Sequence, residues 1–378
     1  MPLSPIYLRD RIESLDMLRG LAALAVVIAH TTSFGLYQQP IWDWLKWTPL
    51  RLLWSGHQAV ILFFALSGFA LTRMLEGSEK PMSYSTFIFV RIIRLYPPYI
   101  ASVVIALLIY RGLHMAGFQW TAGWMNTVNP TMDTALLLRH ALMLGNFNTG
   151  IINPPIWSIV HEMRLSLIFP LLFILVRRYA LWAIAILACC SIAIAGLQIS
   201  GFFFAAEDLR LHPLLTLHYA LFFSLGIFVA RNAESLQQRA KSLPLNQRSF
   251  GWVIGLILYA YPFDNPWSQG ERMLGDIIIG IGSVIIIILS LALNDSPIRA
   301  IGIRLGRISY SLYLNHYVII AASAILLYSQ FGSIAVWLAA LPCSIALAHI
   351  FYAGIERPAI NLARRWRIKK NIRHMRTV

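Results

Sequence analysis

The sequence predicts an all-α integral membrane protein, a bundle of about ten transmembrane helices with both termini on the cytoplasmic side. Three observations predict it. Of 378 residues, 58% are hydrophobic and only 12% are charged, with a mean hydropathy of +0.65, whereas a soluble domain carries about a quarter charged residues. Apolar runs near the roughly 20 residues that cross a bilayer recur along the chain, separated by short polar connections. Runs such as IIIGIGSVIIIILSLAL lack the alternation of a transmembrane barrel, so the backbone is satisfied within helices.

The spans fall at roughly 17–36, 54–74, 95–112, 157–176, 180–197, 213–230, 250–267, 273–293, 308–328 and 334–354 of a single domain covering residues 1–378. The first has the basic lead-in of a signal peptide but carries polar residues, and it is expected to be retained. Between Thr134 and Phe147 a short apolar stretch, interrupted by Arg139 and His140, reads as an interfacial or re-entrant helix. The fourth span opens at Asn153-Pro154-Pro155, a start signal. The seventh has only about twelve apolar residues before Pro262, which is short for a crossing and predicts a broken or tilted helix.

Charge then orients the bundle. Lys and Arg gather in cytoplasmic loops, and ten spans put Arg73, Arg91, Arg94, Arg177, Arg178, Arg231, Arg299 and Arg307 on one side with both termini. The net charge of +15 is mostly this asymmetry plus the tail at 357–378, which contains ARRWRIKKNIRHMR. Such a tail rests against anionic headgroups rather than nucleic acid, at about 1 kcal/mol per charge. Cys189, Cys190 and Cys343 lie inside apolar spans and give neither a disulfide pattern nor a metal-ligand spacing.

Ionisable side chains inside the membrane carry the functional reading, because each costs several kcal/mol and is a functional candidate by default. In LDMLRGLAALAVVIAH, His30 follows Arg19 by eleven residues, which returns to nearly the same helix face about 16 Å higher. With Asp16 this makes one stripe from the entrance to mid-membrane. In NPPIWSIVHEMRLSLIFP, Trp157 reads as an aromatic anchor at the outer interface. Ser158, Glu162 and Ser166 share one face, and Trp157, His161 and Arg164 another. A carboxylate orienting a histidine is what general-base catalysis requires, so Glu162 is expected to meet His30; the alternative is a structural cluster of His161, Glu162 and Arg164. In RIIRLYPPY, Arg91 and Arg94 suit a polyanion such as the phosphates of coenzyme A, although positive-inside topology also places arginines there. In LGRISYSLYLNH, Ser309 and His316 share a face and Asn315 follows Ser311 by one turn, a stripe suited to a polar cavity. Glu356 reads as one half of a structural ion pair at the cytoplasmic end.

These runs, with FFALSGF and IERP, closely resemble the acyltransferase 3 family in order and spacing across nearly the whole chain. The resemblance implies ten core helices, an acyl-coenzyme A donor entering from the cytosol, and delivery to an acceptor at or beyond the outer face. That family includes enzymes that O-acetylate bacterial surface polysaccharides, so the implied location is a bacterial inner membrane. Its arginine–histidine pair falls on Arg19 and His30, and its paired-arginine motif on Arg91 and Arg94. Two positions depart: Met17 replaces the usual glycine after the aspartate, and Arg164-Leu165 replaces an aromatic pair. Some relatives carry a fused extracytoplasmic domain; this sequence ends in a short basic tail, so the bundle is expected to complete the transfer.

The resulting expectation is that Arg19, Arg91 and Arg94 hold the phosphates of acetyl-coenzyme A or another acyl-coenzyme A. His30 acts as general base, or as a transient acyl carrier, with Glu162 orienting it. Asp16, Trp157, Ser158, His161, Ser309 and His316 line the path of a carbohydrate or glycolipid hydroxyl acceptor. No tightly bound cofactor and no metal is expected. The alternatives are a proton-coupled transporter or flippase of a polar or polyprenyl-linked solute and a non-catalytic scaffold. The paired arginines and the lack of an inverted repeat argue against the transporter.

Overall fold

The computed structural model describes residues 12–33, 35–36, 39–77, 82–118, 134–143, 147–201, 209–260, 269–293 and 297–375. In chain order the helices are α1 (Glu13–Thr32), α2 (Ile41–Leu45), α3 (Gly56–Glu76), α4 (Tyr84–Met115), α5 (Thr134–Leu142), α6 (Ile156–Ile199) and α7 (Pro213–Arg231). They continue with α8 (Ala233–Ser242), α9 (Leu245–Ala260), α10 (Gln269–Ser290), α11 (Pro297–Arg307), α12 (Ser309–Phe351) and α13 (Arg357–Met375). Among the described residues seven helical runs are long and apolar enough to cross a membrane, namely α1, α3, α4, α6, α7, α10 and the run that α12 begins.

Two of the seven are hairpins. A straight α6 of 44 residues would measure roughly 66 Å, about twice the hydrocarbon thickness. Its backbone breaks at Tyr179 (φ −139°, ψ 51°), and side-chain partners show that it reverses there. His161 meets Thr216 of α7 at 2.9 Å, while Ser191, thirty residues later, meets His218 of the same helix at 2.6 Å. At the turn, Arg231 closes onto the Arg177 carbonyl at 3.0 Å. In α12 the break is at Gly332, whose φ of 71° is open to glycine without strain. The Glu356 carboxylate accepts from the Ser311 backbone N–H at 3.1 Å and from its hydroxyl, so the two limbs run antiparallel. The sequence-predicted boundaries at 176/180 and 328/334 bracket these turns.

Glu356 is therefore not the terminal ion pair expected. It caps the start of α12, where unpaired N–H groups and the helix dipole favour a carboxylate, and the charge acting on it is that of Arg94. A π-helical turn at Tyr352–Glu356 carries the chain on into α13, which packs on α4 with Trp366 against Phe89, ring centroids 4.0 Å apart. Within the stretch 134–147, Thr134–Leu142 forms the nine-residue α5, held to α4 by the Tyr99 hydroxyl on the His140 carbonyl at 2.9 Å; residues 144–146 lie outside the described residues. Segment 250–267 appears as α9, shifted toward the N-terminus; residues 261–268 lie outside the described residues.

Close packing comes from small residues rather than from a hydrophobic drive, since lipid is as apolar as the helix faces. At the α3–α7 crossing a Cβ on Gly226 would sit 2.0 Å from the Ala65 carbonyl oxygen, and one on Gly68 2.2 Å from that of Phe223. Between α1 and α11 a Cβ on Gly306 would lie 2.0 Å from the Asp16 carbonyl oxygen. The departure at Met17 is accommodated here, with Gly302 leaving room for its side chain.

A second tie is polar. Asp276 of α10, 1% exposed, accepts from His57 of α3 at 2.6 Å and from His218 of α7 at 3.2 Å. Because the carboxylate takes the Nε2 protons, the other His218 nitrogen is left to bond the Ser191 hydroxyl, and four chain segments are locked together. Two destabilisations follow. Gly226→Leu forces side-chain atoms into the Ala65 backbone and is expected to cost about 3 kcal/mol, read as a lower melting temperature in detergent. Asp276→Ala strands the buried His218 imidazole and the partly exposed His57 ring and is expected to cost about 3 kcal/mol, checked the same way.

Candidate active site

The site is built along α1, which meets α12 at the level of His30 and α3 at the level of Arg19, where charges of α4 and α6 also act. At the lower level, which shares an end of the bundle with the basic loops, Arg19 donates to the Leu66 carbonyl at 3.0 Å and to Asp16 at 3.4 Å. Leu66 belongs to the FFALSGF run, whose next residue, Ser67, donates to Glu162 at 3.3 Å. Arg91, 4% exposed, reaches the same carboxylate oxygen at 2.8 Å and Ser166 at 3.1 Å. Arg94 is exposed, and its charge acts on Arg19, Arg91, Tyr310 and Glu356. Thus three arginines and three carboxylates from α1, α4, α6 and the Tyr352–Glu356 turn share one locus. A cluster with that balance is tolerated because its buried charges have counter-charges and hydrogen bonds while Arg94 is exposed.

Eleven residues up α1, His30 faces α12. Its Nδ1 lies 3.1 Å from Nε2 of His316, with ring centroids 5.1 Å apart. Tyr317 stands edge-on to the His30 ring at 5.8 Å. His316 is fully buried, and its Nδ1 donates to the carbonyls of Tyr313 at 2.8 Å and Leu312 at 3.2 Å. Between the levels, the Tyr313 hydroxyl donates to the Pro155 carbonyl at 3.1 Å and pairs with Ser158 at 2.7 Å. The Asn153 amide donates to the Leu314 carbonyl at 2.7 Å, so the NPP turn docks the start of α6 onto α12.

The pairing of Glu162 with His30 is corrected by this geometry. Glu162 sits at the level of Arg19, about 16 Å along α1 from His30, and is held by Arg91 and Ser67. Helical spacing fixes which face Glu162 occupies, but the register of α6 against α1 decides its neighbour. The partner of His30 is another histidine, which the sequence had already placed on the polar stripe of the ninth span.

Other predicted residues divide. Ser158 and His316 join the site, and Asp16 enters it through Arg19. His161 donates from Nε2 to the Arg210 carbonyl at 2.6 Å, which leaves its Nδ1 to accept from Thr216. It fastens α6 to α7 and to the turn before it. Arg164, the second departure from the family pattern, donates to the Leu211 carbonyl at 2.7 Å in the same fastening. Trp157, partly exposed one residue into α6, lies tilted against Tyr219 of α7 with ring centroids 5.6 Å apart. Ser309 donates to the Gly306 carbonyl at 2.9 Å and closes the α11–α12 corner. Where α7 begins, His212 accepts from the Leu214 N–H at 3.3 Å, and burial with the nearby Arg164 charge holds its imidazole below its usual pKa. Sequence reasoning missed the Asp276–His57–His218 group. The signal was present, since Asp276 is the acidic residue beside the most apolar run, but its two histidines come from separate helices.

Comparison with known proteins places this arrangement. The description "Acyltransferase domain" matches residues 12–353, which takes in α1 to the end of α12 and every residue of the charged locus except Glu356. Acyltransferase MdmB of Streptomyces mycarofaciens is 26% identical over 394 residues, covering 94% of each chain. Protein 2 in the picA locus of Rhizobium radiobacter is 27% identical over 172 residues, covering 42% of this chain and 81% of that one. No solved structure matches. With the family domain spanning nearly the whole length, the chain belongs to the acyltransferase 3 family and is a membrane-embedded acyltransferase.

Proposed function

We propose that the protein moves an acyl group, in the first instance acetyl, from cytosolic acyl-coenzyme A to a hydroxyl of a cell-envelope carbohydrate or glycolipid at the opposite face of a bacterial inner membrane. The observation that carries this reading is the stripe on α1. One helix face joins the arginine-rich locus at Arg19 to the histidine pair at His30 and His316, which suits an anionic carrier held at one end and an acyl group presented about 16 Å away.

Ten crossings support the sidedness. Each limb of the α6 and α12 hairpins is counted as a span, and α9, at 16 residues, as the seventh. Both termini then lie with the basic loops in the cytoplasm. Arg94, exposed, and Arg19, partly so, offer guanidinium groups to the phosphates. Arg91, already committed to Glu162, holds the locus in shape.

In the reaction His30 takes the proton of the acceptor hydroxyl as its oxygen attacks the thioester carbonyl. The C–S bond breaks, an ester forms, and the coenzyme leaves as a thiolate that ends as the free thiol. No net proton is gained or lost. Glu162 serves Arg91.

The test is transfer of label from radiolabelled acetyl-coenzyme A to extracted cell-envelope glycans, with the protein in lipid nanodiscs. His30→Ala is expected to abolish labelling while the protein inserts and melts normally; labelling at the wild-type rate removes His30 from the chemistry. Arg94→Ala is expected to raise KM for acetyl-coenzyme A about tenfold, the loss of one charge-assisted contact, with kcat little changed. For topology, single cysteines at positions 3 and 378 in a cysteine-free background are expected to react with a membrane-impermeant maleimide only after the cells are permeabilised.

A further inference from the structure

We infer that His316 is a positioning residue that sets the tautomer of His30, so that the base atom is Nε2. This rests on the reading of His30 as the general base and goes beyond it by naming the atom and the group that prepares it.

The inference follows from which atoms are able to donate. The Nδ1 of His316 lies against two carbonyl oxygens, of Tyr313 at 2.8 Å and Leu312 at 3.2 Å. A carbonyl only accepts, so Nδ1 carries the hydrogen and, in the neutral ring, Nε2 is the bare lone pair. An imidazolium at this depth would need a counter-charge, and these polar neighbours are carbonyls and a second imidazole. The lone pair faces His30 Nδ1 at 3.1 Å, so that atom in turn carries a hydrogen. With Nδ1 protonated, Nε2 of His30 is left with its lone pair.

The chain of bonds therefore runs from the backbone of α12 through His316 to His30 and ends on a base. When Nε2 takes the proton of the acceptor, the Nδ1–H bond to His316 persists, and a neutral, polarisable imidazole stands beside the new positive charge. A carboxylate does this in the serine hydrolases; here a histidine tethered to two carbonyls does it without adding charge to the bundle.

The test compares kcat and KM of wild type, His316→Phe and His316→Gln in nanodiscs, with His30→Ala as the reference, and reads the protonation of His30 by solid-state NMR of protein labelled with 15N-histidine. The Phe variant keeps the ring and loses the acceptor; it is expected to lower kcat by about 100-fold, within the range of acid–base contributions, with KM for acetyl-coenzyme A within about twofold. The Gln variant places an amide oxygen where Nε2 stood and is expected to recover at least tenfold of that loss. In wild type the His30 signal is expected to show Nδ1 protonated and Nε2 bare, and in His316→Phe a mixture of tautomers. Wild-type kcat in the Phe variant, or His30 protonated on Nε2 in wild type, overturns the inference; should the Phe variant fail to fold, the wild-type tautomer decides it. An active His30→Ala variant instead overturns the reading of His30 as the base, so the two failures are told apart.

Discussion

Where no water competes, a guanidinium and a carboxylate must answer each other, and the bond from Arg91 to Glu162 at 2.8 Å is the one on which the remaining charges are arranged. It joins α4 to the first limb of α6 while Ser67 draws α3 to the same oxygen. With those three segments fixed, Arg19 of α1 bonds the Leu66 carbonyl and stands within reach of Glu162. Arg94, one turn beyond Arg91, is turned outward toward Glu356 and the start of α12. Removing Glu162 would leave the buried Arg91 guanidinium without its counter-charge, a costly fault in such a bundle.

The histidine pair obeys a different economy. Neutral imidazoles bonded to carbonyls add no net charge, so His30 and His316 occupy the upper half of the bundle without a counter-ion. This separates two jobs along one helix. The lower locus of α1 is electrostatic and suited to an anion, while the upper one is a hydrogen-bond chain suited to moving a proton. The Asp276 group is a third solution, a carboxylate shared by two histidines, and its place is structural, since it ties α3, α6, α7 and α10 together.

Glycine supplies what these polar groups need in distance. The contact of Gly226 and Gly68 across α3 and α7 brings Ser67 and Leu66 into line with Glu162 and Arg19. Any side chain at either glycine would push the helices apart by more than a hydrogen bond tolerates. Packing and chemistry are thus coupled through the FFALSGF run.

The membrane class, the breaks near 178 and 332, the stripe from Arg19 to His30 and the identity of most charged members of the lower locus were legible in the residues alone. Each of these depends on local properties: hydropathy, helical period and the cost of charge in hydrocarbon. The partners were set by tertiary packing. Period places Glu162 and His161 on faces of α6 but says nothing of how far α6 slides along α1, and that register gave Glu162 to Arg91 and His161 to the Arg210 carbonyl. It likewise gave His30 to His316, which lies 286 residues later, and made Glu356 the cap of α12. A hydrogen bond is made or lost over about 1 Å, whereas the spacing of residues along a helix leaves the neighbour's position undetermined by many times that distance.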